Sequence, residues 1–330
     1  NDKADSTGIS NEASVVLTAD QLQQTLYRSV LNLAGRLPTT QELNMVRQQG
    51  EAGLDRALDN AMDEQAFYDR IAEFYNDALH TDSFSHESLK YLRGFIEEKS
   101  QREWYEQYGD YSERHWGREQ TPFSFGRDSL NLIKYIVKNN RPFTELLTAD
   151  YYVVDYYSAR SLKIDVDELN FKRIEDNQVY LSEDVRPETG DEMKSINYDP
   201  RDLRAVKVKE YWPDGHAGIL TTLSWIERHP SSNTNINRHR SYKFFLQFLD
   251  TDILLIDGDR SNVDDAIADS EPTLTNPQCV GCHNVMDPVA STFQRWHNGQ
   301  PELHDLDDDY WSEYKILPAG FNGQETPIAQ

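Results

Sequence analysis

Cysteine is nearly absent from this chain: two occur in 330 residues, Cys279 and Cys282, and at that spacing no long-range disulfide framework can staple the fold. Positive charge is also short. Lys and Arg number 33 against 57 Asp and Glu, a net charge of −24, which sets the surface against nucleic-acid phosphates and anionic membrane surfaces and suits a basic or neutral partner. Long apolar runs are missing too: Ile253 to Ile256 is far shorter than the roughly 20 residues that cross a bilayer, so no membrane span is expected. There is no Ser-His-Asp signal, Gly-rich phosphate loop or dinucleotide fingerprint, and no internal repeat of fixed period. The first residues, Asn1 to Gly8, lack an initiator Met and an apolar signal core, and read as a mature chain after processing or as an artificial boundary.

What is present is mostly helical pattern. Residues 1–17 are polar and aperiodic, the composition of a flexible tail. Thr18 and Gln21 then form a capping-box signature, followed by Leu22, Leu26, Val30 and Leu33 at helical spacing up to Gly35. Thr39 and Glu42 repeat the capping signal after Pro38, and further helical patterns cover 53–61, 64–80, 86–107 and 127–139. Residues 18–150 thus read as a helical domain. Between 151 and 215 the periodicity breaks into short Tyr- and Val-containing pieces separated by Asp, Asn, Gly and Pro, which predicts loops and one small hairpin. Helical patterns return at 216–228, at 236–249 and around the cysteines, and residues 216–330 read as a module that ends in an irregular acidic wrap. The expected class is mainly α, with an irregular middle segment.

The string that carries chemistry is Cys279-Val280-Gly281-Cys282-His283. Two thiols one helical turn apart can each add to a haem vinyl group, and the adjacent His offers its imidazole to the iron from the same helix. A zinc site would need a second ligand pair, and no other cysteines exist. A redox dithiol would need a βαβ setting, and none is patterned nearby. The motif therefore implies one covalent haem c, held by Cys279 and Cys282 and ligated by His283. Because c-type ligation takes place on the outer side of the bacterial inner membrane, it also implies a periplasmic or extracellular location.

The wider string from Cys279 to Pro288, with Phe293 and Trp296 after it, resembles the planctomycete-type cytochrome c domains, first catalogued as domains of unknown function. Three upstream stretches resemble their accompanying helical domains: Leu33 to Thr39, Arg141 to Tyr151 and His216 to Thr221. Together they touch most of residues 20–297. The resemblance implies a mono-haem redox protein with a C-terminal cytochrome c-like module; it names no substrate.

A sixth iron ligand is less readable. Met286 follows His283 by three residues and so lies on the same helix face, where it cannot reach the far side of a haem; it is expected to pack against the proximal face or the helix below. The remaining donors are Met45, Met62 and Met193, and the histidines His80, His86, His115, His216, His229, His239, His297 and His304. His216, within the resemblance, and His239, on the next helix, are the preferred distal candidates. Arg238 and Arg240 flank His239 and suit haem propionates, though a solvated or ion-paired helix face is the commoner explanation. Tyr242, Phe244, Phe245 and Phe248 could cover a haem edge or form a core stripe. Asp257, Asp259, Ser261 and Asp265 form a loop like a calcium site, but it has Asn262 where a Gly belongs and Ala268 where a Glu belongs, so it reads as a solvated acidic loop. Asp305 and Asp307 to Asp309 read as a solvent face or a weak cation site.

The expected function is single-electron transfer to a redox partner protein or within a larger extracellular assembly. The alternative is a haem enzyme, peroxidase-like or an oxidoreductase subunit, with an open or exchangeable sixth position.

Overall fold

A computed structural model describes residues 17–83, 103–107, 111–174, 198–207, 217–232, 235, 237–255, 276–293, 296–297 and 302–303. The described residues are mainly helical, as their periodicity predicts. They fall into two compact units, one ending at Ile71 and the other beginning at Ala72.

In the first unit, α1 (Ala19–Ala34), α2 (Thr40–Gln49) and α3 (Glu51–Met62) follow in quick succession, and α4 (Gln65–Leu79) begins before the boundary. Helix α1 starts with the expected capping box at Thr18 and Gln21, and ends where Gly35 takes the left-handed conformation and returns its N–H to Leu31. Leu22, Leu26, Val30 and Ala34 supply one buried face, which meets Val46 of α2 and Leu54, Ala57 and Ala61 of α3. Helices α2 and α3 come so close that a Cβ on Gly53 would lie 2.2 Å from the Met45 carbonyl oxygen. No other residue fits there.

Glu42 does two jobs in this unit. It completes the α2 capping box with Thr39, and it accepts both arms of the Arg36 guanidinium, at 2.9 and 2.7 Å, while Glu64 takes the Nε proton at 3.0 Å. The hydrogen bonds from Arg36 hold the Glu42 carboxyl down at about 2, against burial that pushes it up. A folded-state pKa below the ordinary 4.5 gives stability that is complete above pH 4.5 and lost as the pH falls toward 2. Glu42→Gln is expected to cost about 2 kcal/mol at neutral pH, with the difference from wild type shrinking across that acid window. Amide exchange at Leu26 and Ala57 reads it, and a pH-independent difference would refute it.

The second unit holds α5 (Tyr111–Gly126), α6 (Asp128–Lys138), the single turn α7 (Glu145–Thr148), β1 (Tyr151–Val154), α8 (Tyr156–Ser161), α9 (Val166–Leu169), β2 (Arg204–Lys207), α10 (Leu223–Arg228), α11 (Arg238–Leu249) and α12 (Pro277–Ser291). Strands β1 and β2 pair antiparallel, Tyr151 opposite Lys207 and Val154 opposite Arg204. A second pair of two-residue strands, β3 (Trp296–His297) and β4 (Glu302–Leu303), is also antiparallel. An aromatic core joins Trp104, Tyr105, Tyr152, Tyr156, Tyr157 and Phe171, with Tyr156 stacked on Tyr198 at 3.7 Å.

The described parts of the middle segment are more regular than its broken pattern predicts. Asp155 caps α8 through its own reciprocal box with Ser158, and Asp165 caps α9. Helix α5 carries no apolar stripe that would announce it, because it buries Gln120, Thr121 and Ser124 alongside Phe125. The pattern at 216–228 resolves into a 3-10 turn, Gly218–Thr221, followed by α10. Gly218 has φ +52, and a Cβ there would lie 2.2 Å from the Leu146 carbonyl oxygen. Most of the helix expected at 86–107 lies outside the described residues, as do the acidic loop at Asp257 to Asp265 and the run from Asp305 to Asp309. No helix among the described residues is long and apolar enough to cross a membrane.

Candidate functional site

Helix α12 carries the motif. Pro277 opens it at the first helical position, where a missing N–H costs nothing, and the amides of Cys279 and Val280 both reach back to the Asn276 carbonyl, at 2.9 and 3.0 Å. Cys279 and Cys282 therefore stand one turn apart on one face. Both are partly exposed and no disulfide joins them. His283 follows on the same turn, its side chain 19 % exposed.

One turn further on, Asp287 is fully buried and faces back to His283, whose Nδ1 lies 3.0 and 3.1 Å from the two carboxylate oxygens. The other side of the same carboxylate receives Arg238 from α11, Nε to Oδ1 at 2.7 Å and Nη2 to Oδ2 at 3.0 Å. Burial pushes this carboxyl up, but the hydrogen bonds from His283 and Arg238 and the charge of Arg238 outweigh it and hold the group below its ordinary value. In the tautomer that carries its proton on Nδ1, His283 donates to this carboxylate. The ring's remaining lone pair is at Nε2, and that is the nitrogen open to a metal.

The two helices are tied at this end by further bonds. Asn237 donates to the Phe293 carbonyl at 2.8 Å and Ser241 to the Met286 carbonyl at 2.7 Å. Met286 points into the helix interface, buried with Phe245 and Ile253, and Tyr242, Phe244, Val285 and Val289 pack around them. This is a core position.

Arg240 faces away from α12. Fully buried, it donates to the carbonyls of His229 at 2.8 Å and Ile226 at 3.3 Å and to Asn237 Oδ1 at 2.6 Å. Both arginines considered for propionates already have protein partners: Arg238 belongs to the Asp287 clamp and Arg240 to the seam between α10 and α11.

Of the two preferred distal candidates, His216 lies outside the described residues. His239 stands on α11, half-buried, with its ring 5.6 Å from that of His229. His229 was among the possible donors but not one of the preferred two. It is 3 % exposed, its ring meets the edge of Trp225 at 4.8 Å, and neither ring nitrogen has a hydrogen-bond partner among the described residues. Burial first, then the positive neighbours His239, Lys243, Arg228 and Arg240, push it down to about 3. A neutral imidazole with both nitrogens unpaired is a costly core residue and a competent ligand. Met45 and Met62 belong to the first unit; Met193 lies outside the described residues.

Asp287 was missed as a functional group, although its position four residues after His283 on a helix was a readable signal. No known protein family, curated protein or solved structure matches this chain. Among the described residues, no three His, Cys, Asp or Glu side chains are grouped to hold a bare metal ion. The thiol pair and the oriented imidazole fit a haem, which brings its own four nitrogen donors and asks this helix for two thioether links and one axial nitrogen.

Proposed function

We propose that the chain is a mono-haem c-type cytochrome that passes single electrons outside the cytoplasm, as a planctomycete-type cytochrome c domain with its helical companions. Cys279 and Cys282 would hold the porphyrin and His283 would ligate the iron, with His216, His239 and His229 as the candidates for a second protein ligand. The observation that carries this reading is the Arg238–Asp287–His283 chain, which orients the imidazole next to the cysteine pair. When bound, the haem supplies the one-electron couple. The protein's own part would be to hold the axial nitrogen and to present an acidic surface to a basic or neutral redox partner or a larger assembly.

A second reading, a haem enzyme with an exchangeable sixth position, is favoured by one observation. A carboxylate on the far nitrogen of an axial imidazole strengthens that ligand as a donor and favours oxidised iron.

Intact mass in denaturant tests the proposal, on protein produced with a c-type ligation system. The expected mass is that of the chain plus one haem, since thioether bonds outlast the fold. A bare chain, or a zinc ion lost on unfolding, overturns it. Absorption spectra in both redox states then separate the two readings: low-spin six-coordinate iron supports electron transfer, and high-spin iron that takes up cyanide readily supports the enzyme.

A further inference from the structure

We infer that Asp287 is a positioning residue that sets the ferric/ferrous balance of the iron by drawing on the Nδ1 proton of His283, and that Arg238 limits how strongly it does so. The inference rests on the proposed haem ligation by His283.

The geometry supports more than a helix-to-helix ion pair. A salt bridge whose only task was to join α11 to α12 could place its carboxylate at the solvent edge, where it costs little. This carboxylate is fully buried, and a buried charge is retained at a desolvation cost that only well-placed partners offset. Its partners lie on two sides: a bidentate guanidinium at 2.7 and 3.0 Å, and an imidazole nitrogen at 3.0 and 3.1 Å. Hydrogen bonding to an anion gives the imidazole partial anionic character, which makes Nε2 the stronger donor and stabilises the higher iron charge. Arg238 draws on the same two oxygens and so weakens that pull. Asp287 and Arg238 therefore act in opposite directions on the iron, although both support the same interface.

That opposition is the test. Asp287→Asn keeps an oxygen that can accept from Nδ1 but removes the charge. Its midpoint potential is expected to rise by at least 59 mV, a tenfold change in the one-electron equilibrium. Arg238→Gln leaves the carboxylate on His283 and removes its competitor, so its potential is expected to fall or stay level. A rise of similar size in both variants would make the effect one of damaged packing and overturn the inference, as would an unchanged potential in Asp287→Asn. If Asp287→Asn does not fold beside an unpaired Arg238, the double variant Asp287→Asn/Arg238→Gln replaces it, with the same rise expected. The nitrogen-15 shift of His283 Nδ1 in the unmodified holoprotein gives a variant-free reading: a nitrogen bonded to a carboxylate supports the inference, and one bonded to a neutral acceptor overturns it. Intact mass is taken on every sample. A wild type without haem defeats the underlying reading, whereas a loaded protein with unmoved potential defeats only this inference.

Discussion

Asp128→Ala is expected to destabilise the second unit by about 3–5 kcal/mol, the scale of removing a buried charge from partners that cannot then reach water. The carboxylate is fully buried and accepts from the backbone amides of Leu223 at 2.7 Å, Ser224 at 3.2 Å and Ser129 at 2.7 Å, and from the hydroxyls of Tyr152 and Ser224. Leu223 and Ser224 are the first residues of α10, whose own preceding residue, Thr222, makes no side-chain cap. A carboxylate from the start of α6 thus caps a helix 95 residues away, and its charge suits that helix's positive end. Burial pushes the Asp128 carboxyl up to about 6 against these hydrogen bonds, from an ordinary 3.8. Between about pH 4 and pH 6 the native state therefore holds a proton that the unfolded chain has released, and the Asp128 contribution diminishes as the pH rises through that window. Asp128→Asn should lose that slope. Chemical denaturation of the second unit at pH 4 and pH 7 measures both effects, and a variant with wild-type stability and wild-type pH slope would refute the assignment.

Arg240→Ala is expected to cost about 3–5 kcal/mol, because it leaves two buried carbonyls without donors and opens a cavity where the guanidinium and its stem were. Burial brings the guanidinium down only to about 9, so it is charged at neutral pH, and backbone and amide oxygens accept from it. Lysine has the charge but not the fork, so Arg240→Lys should recover less than half of the loss. Haem attachment, read by mass, is expected to persist in both variants. If stability were unchanged and the potential or the haem content shifted instead, Arg240 would belong to a propionate and not to the seam between α10 and α11.

The legible parts of this sequence were those whose information is local. Helices α1 and α2 announced themselves because a cap, an apolar stripe and a terminating glycine lie within one short window each. The motif at Cys279 to His283 was legible for the same reason: the helical turn itself places two thiols and an imidazole together. The clamp was only half legible. Asp287 lies one turn from His283, but Arg238 lies 49 residues from Asp287 in sequence, and nothing local pairs them. Arg238 and Arg240 look alike in the string Asn237 to Arg240, yet the turn of α11 sends one to α12 and the other to the end of α10. The imidazole of His229, without a hydrogen-bond partner among the described residues, did not stand out for a different reason, since such isolation is a property of the fold and leaves no mark on the neighbouring letters. Helix α5 stayed hidden because its buried face is largely polar.

Gly53 and Gly218 have a consequence for how such a chain can drift over generations. Both stand where one backbone leans on another, so even a single methyl group has no room, and at Gly218 the left-handed φ adds a second veto. Most buried positions here can exchange one hydrophobe for another of similar bulk, and the acidic surface can be rewritten more freely still. A descendant or cousin could lose almost every recognisable word of this sequence and still be obliged to spell glycine at these two places. Together with the interval from the cysteine pair to the aspartate four residues past the histidine, they form a sparse fingerprint by which such cousins could be sought.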